Sequence, residues 1–115
     1  MHTPVVRTKS GTVRGRAEDG LHVFLGVPYA QPPTGALRWQ SPQPVSPWEG
    51  TLDTVAFGPS AWQPYHPGAN PGAGDHGEPP FDEDALTLNI WTPAADGVRR
   101  PVLFWIHGGG LLTGS

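Results

Sequence analysis

Five apolar residues, Val102-Leu103-Phe104-Trp105-Ile106, run directly into His107-Gly108-Gly109-Gly110. An unbroken apolar run of that length fits a strand over residues 101–107 that is buried on both faces, in the middle of a sheet. The glycines then stand at the exit of that strand. Consecutive glycines let a backbone turn sharply and bring bare N–H groups against a ligand. Acyl transfer needs such donors, aimed at the oxyanion that forms in the tetrahedral intermediate. Two other readings compete. One is a plain glycine-rich turn. The other is a dinucleotide-binding turn on Gly108, Gly110 and Gly114, but Thr113 occupies the third glycine position of that fingerprint.

The remaining polar residues suggest less. His66, Asp75, His76, Glu78, Asp82, Glu83 and Asp84 fall in a glycine- and proline-dense stretch without helical ligand spacing, so a solvated loop is expected there rather than a metal site. His22 alternates with Leu21 and Val23 and is expected to be exposed on a strand. Trp39, Trp48, Trp91 and Trp105 read as core and loop-packing residues.

The elements that must position the glycine run are short. Sixteen glycines and fifteen prolines occupy more than a quarter of the 115 residues, and the longest run free of both is residues 81–92. Almost no long helix is therefore expected. Within that run Leu86, Leu88 and Ile90 alternate with Thr87 and Asn89, a strand-like period of two. Residues 5–9, 12–18 and 21–25 read as a meander, the last two joined at Asp19-Gly20. Asp-Gly between such runs is a strong hairpin signal, because a type I′ turn needs φ > 0 at both centres. A further short strand is expected within residues 52–57, and residues 63–80 read as a long exposed loop.

Composition removes several classes of function. Ten acidic residues against seven basic ones give a net charge of -3, which excludes a basic nucleic-acid footprint. Cysteine is absent, so disulfides and thiolate metal sites are excluded. Five Trp and four Phe argue for a folded chain despite the glycine and proline content. The longest apolar stretch, residues 102–106, is far too short to span a bilayer. The N-terminus has neither the basic start nor the apolar run of a signal peptide, which favours a soluble, cytoplasmic protein.

Larger motifs add to this. Phe24-Leu25-Gly26-Val27-Pro28-Tyr29-Ala30-Gln31-Pro32-Pro33, with Gly35, Leu37-Arg38-Trp39 and Trp48-Glu49-Gly50 following, resembles the N-terminal signature of type-B carboxylesterases. Glu83-Asp84-Ala85-Leu86-Thr87-Leu88-Asn89-Ile90 resembles that family's second signature, and His107 to Gly110 with Gly114-Ser115 its third. The pieces stand in the family's order and cover nearly the whole chain. The resemblance implies an α/β fold: the N-terminal part of an α/β-hydrolase domain, itself mostly strand and loop with little helix. It implies hydrolysis of a small-molecule carboxylic ester by a serine mechanism without a cofactor, with Gly109 and Gly110 giving backbone N–H groups to the oxyanion hole.

Two departures from the family pattern matter. Ala61 and Ala85 stand where the family carries a bonded pair of cysteines, so the resemblance implies that they are neighbours. None of Ser10, Ser41, Ser46, Ser60 or Ser115 lies in a G-x-S-x-G frame, so the nucleophile and its partners are expected outside this segment. The rival reading is a non-catalytic, esterase-like protein-binding domain of the same fold. Trp62 and Tyr65 fall in a loop that often borders the family's gorge and are candidate substrate contacts.

Overall fold

A computed structural model describes residues 2–65 and 77–115. The chain forms two compact units, one of residues 1–58 and 86–99, the other of residues 59–85 and 100–115. Among the described residues the helical structure is a single 3-10 turn at Gly35–Leu37, as the density of helix breakers implies. No helix among them is long and apolar enough to cross a membrane.

The first unit holds two three-stranded sheets. One has the order β1 (Val5–Arg7), β2 (Thr12–Arg14), β5 (Thr51–Asp53), and the other β3 (Arg16–Glu18), β4 (Leu21–Pro28), β6 (Thr87–Thr92). The Asp19-Gly20 hairpin forms as expected. Glu18 pairs with Leu21, and the two loop residues take φ of 47° and 81°, the double positive φ of a type I′ turn. Residues 12–18, however, do not form one strand of a meander. Their run breaks at Gly15, with β2 in one sheet and β3 in the other. The cause is steric: a Cβ at Gly15 would run into the Val23 carbonyl and the Phe24 ring, so the backbone crosses there only as glycine.

The two sheets share a small core of Val13, Val23, Phe24, Leu25 and Ala30. Thr54 is buried between them and satisfied, because its N–H and Oγ1 both donate to the Arg14 carbonyl, at 2.8 and 3.1 Å. Its own carbonyl accepts the Leu25 N–H at 2.8 Å. The strand expected within residues 52–57 is thus a three-residue strand followed by a single bridge from Leu25 to Val55.

β6 forms where the alternating pattern places it and pairs antiparallel with β4. The register shifts between Phe24 and Val27, where Leu25 and Gly26 together oppose Asn89. This is a β-bulge, with two residues on one strand facing one on the other. Gly26 takes φ 66°, and its N–H donates to the Asn89 side chain at 2.9 Å. The bulge explains why the first and second signature motifs carry Gly26 and Asn89: each completes the other.

Three sequence expectations need correction in this unit. His22 is half-buried rather than exposed, because its Nδ1 accepts the Ala95 N–H at 3.0 Å. Trp39 is 95% exposed with φ 62° and packs in no core, and Trp91 is half-exposed beside Phe57 at a ring distance of 6.4 Å. Trp48 does pack as a loop residue. Its indole N–H donates to the Thr12 carbonyl at 2.9 Å, and a Cβ at Gly11 would collide with its ring.

In the second unit, Ser60 is buried and bridges to Phe81. Its hydroxyl donates to the Glu78 carbonyl at 2.6 Å and its N–H to Pro80 at 3.0 Å. Phe81 collects Trp62 and Tyr65 at ring distances of 5.8 and 5.6 Å. Residues 63–80 are not uniformly exposed, since Gly77 is buried and Gln63 half-buried. His66, Asp75 and His76 lie outside the described residues.

The largest correction is at residues 101–107. They form no strand, and Leu103, Phe104 and Trp105 are 93%, 74% and 81% exposed. A strand is defined by the ladder it joins, and among the described residues none pairs with this segment. The apolar pattern states the surroundings the segment suits, which these residues do not supply.

Candidate functional site: the glycine turn of the second unit

After Gly108 the backbone enters a tight turn. Gly109, Gly110 and Leu111 take φ of 116°, 62° and 64° in succession. Positive φ is natural for glycine, whereas at Leu111 it strains the backbone by about 1–3 kcal/mol. Gly109 is constrained a second time, because a Cβ there would run into the Thr113 carbonyl.

Hydrogen bonds fix the peptide planes of this turn. The Gly109 carbonyl accepts the Leu112 N–H at 3.1 Å, the Thr113 N–H at 3.2 Å and the Thr113 hydroxyl at 3.3 Å. That carbonyl shares a rigid plane with the Gly110 N–H, so three donors on one side set the direction of the N–H on the other. The neighbouring plane is treated alike. His107 Nδ1 lies 2.7 Å from the Gly108 carbonyl, and that carbonyl shares its plane with the Gly109 N–H. A carbonyl can only accept, so Nδ1 carries the proton in this contact.

The Gly109 and Gly110 N–H groups themselves have no partner among the described residues. Two adjacent donors with fixed directions and no internal acceptor can bind an anionic oxygen. The structure thus brings Gly109, Gly110 and His107 into one unit. It leaves Trp62 and Tyr65 around Phe81 in the same unit. A surface groove of about 330 Å³ lined by Arg7, Lys9, Trp48 and Glu49 belongs to the first unit and holds none of these residues.

One residue was not singled out by sequence reasoning. The Gln63 amide accepts the N–H groups of Gly77 and Gly114 at 2.7 and 2.8 Å, and donates to the carbonyls of Ala61 and Gly114, both at 3.0 Å. Gly114 is buried, and a Cβ on it would strike the His107 imidazole. The only advance signal was its place two positions after Ala61, which stands where the family carries a cysteine.

Comparison with known proteins places this geometry in context. Residues 2–115 match the Carboxylesterase family. The phenmedipham hydrolase of Pseudarthrobacter oxydans is 61% identical over 112 residues, covering 97% of this chain and 23% of that protein. The para-nitrobenzyl esterase of Bacillus subtilis (strain 168) is 37% identical over 112 residues, covering 96% of this chain and 22% of its own length. The crystal structure of a carboxylesterase from Geobacillus stearothermophilus superimposes with a TM-score of 0.82 at 44% identity, covering 96% of this chain and 21% of that one. The chain therefore spans less than a quarter of the length of these relatives, and its fold corresponds to the N-terminal part of their α/β-hydrolase domain.

Proposed function

The chain belongs to the carboxylesterase family, and from that premise we propose that it is the N-terminal segment of the catalytic domain of a serine carboxylic-ester hydrolase. Its own contribution is the oxyanion hole. The observation that carries this reading is the pair of N–H groups at Gly109 and Gly110, without partners among the described residues while the carbonyls sharing their planes are bonded.

In the reaction a serine Oγ attacks the ester carbonyl carbon, and the π electron pair moves onto the carbonyl oxygen. Gly109 and Gly110 donate to that oxygen as its charge grows, and the charge is lost again when the alcohol leaves with the proton that the histidine base took from Oγ. Water then attacks the acyl-enzyme by the same steps and frees the acid. The serine, its histidine base and an acidic orienter come from outside residues 2–115. The apolar run at residues 102–106 becomes a central strand once further chain supplies its ladder. A protein-binding domain without catalysis has no use for two oriented, unpaired donors, which counts against the rival reading.

The test is made in a completed enzyme, with residues 2–115 in place of the matching segment of the phenmedipham hydrolase. Turnover of a short-chain aryl ester is measured. The completed enzyme hydrolyses the ester, and the 115-residue chain alone shows nothing above a denatured control. Gly110→Pro removes one donor and cannot hold φ near +62°, so kcat falls by roughly 10²–10³. Gly110→Ala keeps the N–H and loses far less. Unchanged kcat in Gly110→Pro would sink the proposal.

A further inference from the structure

Among the described residues of the second unit, Gln63 is the side chain whose hydrogen bonds reach furthest, and they converge on the glycine turn. Its amide has two donor hydrogens and one acceptor oxygen with two lone pairs, and all four are used: Gly77 and Gly114 N–H into Oε1, Ala61 and Gly114 carbonyls from Nε2. A flipped amide would set N–H against N–H and carbonyl against carbonyl, so the neighbours dictate one orientation. Gly114 is gripped at both its N–H and its carbonyl, as an adjacent strand would grip it.

We propose that Gln63 is a positioning residue for ester hydrolysis, a side-chain clamp that holds the Gly109 and Gly110 donors in line through Gly114. This rests on the oxyanion-hole reading above. The route is short and covalent for most of its length. Gly114 follows Thr113, whose N–H and hydroxyl both bond the Gly109 carbonyl, at 3.2 and 3.3 Å. That carbonyl shares its plane with the Gly110 N–H. On its other side Gly114 is pressed against His107, whose Nδ1 bonds the Gly108 carbonyl and so orients the Gly109 N–H. One clamp therefore steadies both planes.

Local geometry alone would not hold them. Leu111 lies at φ 64°, a conformation that leucine leaves when unsupported. The turn is closed by bonds that are each worth little in isolation. An anchor from 51 positions away keeps that strained turn in one arrangement. The same clamp requires glycine at two places: a Cβ at Gly77 would strike the Gln63 amide, and one at Gly114 would strike His107.

The experiment compares Gln63→Ala and Gln63→Glu in the completed enzyme. Active sites are counted by titration, so kcat is expressed per folded site. Gln63→Glu keeps the two acceptor contacts, loses both donors and sets a carboxylate against the Ala61 and Gly114 carbonyls. A displaced oxyanion donor lowers the rate by about 10–10²-fold, so kcat is expected to fall by that factor with KM within twofold of the parent. A trifluoromethyl ketone, whose hemiketal oxyanion occupies the hole, should bind more weakly by a similar factor. The deficit of Gln63→Glu relative to the parent at the same pH should narrow as pH falls and its carboxyl recovers a proton to donate.

A residue that merely stabilised the fold would lower melting temperature and the number of titratable sites, leaving kcat per site and ketone binding intact. That result overturns the proposal. If Gln63→Ala does not fold, Gln63→Glu decides alone. Gly110→Pro in the same assay separates the two claims. If it leaves kcat unchanged, the oxyanion-hole reading fails. If it lowers kcat while both Gln63 variants keep theirs, only the clamp fails.

Discussion

The two units are held together by different means. In the first, strands satisfy one another: β2 pairs with β1 and β5, β4 pairs with β3 and β6, and the apolar residues between them are buried. In the second, side chains do the tying. Ser60 bonds backbone at Glu78, Gln63 bonds backbone at three residues, and Phe81 gathers two aromatic rings. The most apolar segment of the whole sequence lies in this second unit with its side chains exposed. Hydrophobicity alone does not make a strand. A ladder is needed as well, and the first unit contains its ladders, whereas among the described residues of the second there is a single bridge, from Ser60 to Phe81.

This contrast predicts the largest effect. Phe24 is 4% exposed in the first unit, and Phe104 is 74% exposed in the second. Cutting a buried Phe to Ala removes apolar contact and leaves a cavity, at about 3–5 kcal/mol. Phe24→Ala should cost that much in the 115-residue chain and in the completed enzyme alike. Phe104→Ala should cost almost nothing in the chain alone and about 3–5 kcal/mol once the enzyme is completed. Urea unfolding of the four variants against their two parents measures it. An equal cost for Phe104→Ala in both settings would erase the distinction between the units.

What could be read in the sequence divides along the same line. The Asp19-Gly20 hairpin was legible because its cause is local: two residues that tolerate positive φ between two strand-like runs. The scarcity of helix and the strand around Leu88 were legible for similar reasons. The break at Gly15 was not, since the glycine is required by Val23 and Phe24, which meet it only through folding. Nor was the Gly26–Asn89 contact, which joins residues 63 positions apart. Among candidate site residues, Gly109 and Gly110 stood out because glycine runs advertise backbone chemistry. Gln63 was passed over because a lone glutamine carries no signal until the backbone groups around it are known. Trp39 was misjudged because a large apolar residue was equated with burial, and Trp105 because an apolar run was equated with a strand whose ladder the described residues do not supply.

A second prediction sharpens the account of the side-chain-tied unit. The resemblance implies that Ala61 and Ala85 are neighbours, and Ser60 beside Ala61 already bridges to Phe81. The completed enzyme carrying Ala61→Cys with Ala85→Cys should oxidise in air to a disulfide. A loop of this size gains about 3 kcal/mol from such a link, read as the shift in unfolding midpoint between oxidised and reduced forms. Free thiols after oxidation would mean that the loop runs elsewhere than the resemblance implies.

The smallest effect belongs to the first unit. Arg14 on β2 and Asp53 on β5 are paired in register and joined twice, Nε to Oδ1 at 2.5 Å and Nη2 to Oδ2 at 2.8 Å. Both side chains are about half exposed, at 48% and 53%, and exposed pairs contribute little. The hydrogen bond from Arg14 holds the Asp53 carboxyl below its ordinary value of 3.8, slight burial opposes this, and the charge of Arg14 adds to the lowering. A carboxyl lowered in the folded state stabilises fully above its unfolded value and loses that contribution as pH falls through the folded one. The stability difference between the parent and Asp53→Asn should therefore be small and constant near neutrality. It should shrink towards zero only in the acid range below about pH 4, and it should fade in high salt. Chemical unfolding at a series of pH values reads this directly. A difference that instead grew on acidification would show that Asp53 is held by something other than Arg14. A large difference at neutral pH would show that this sheet relies on side-chain ties as much as the second unit does.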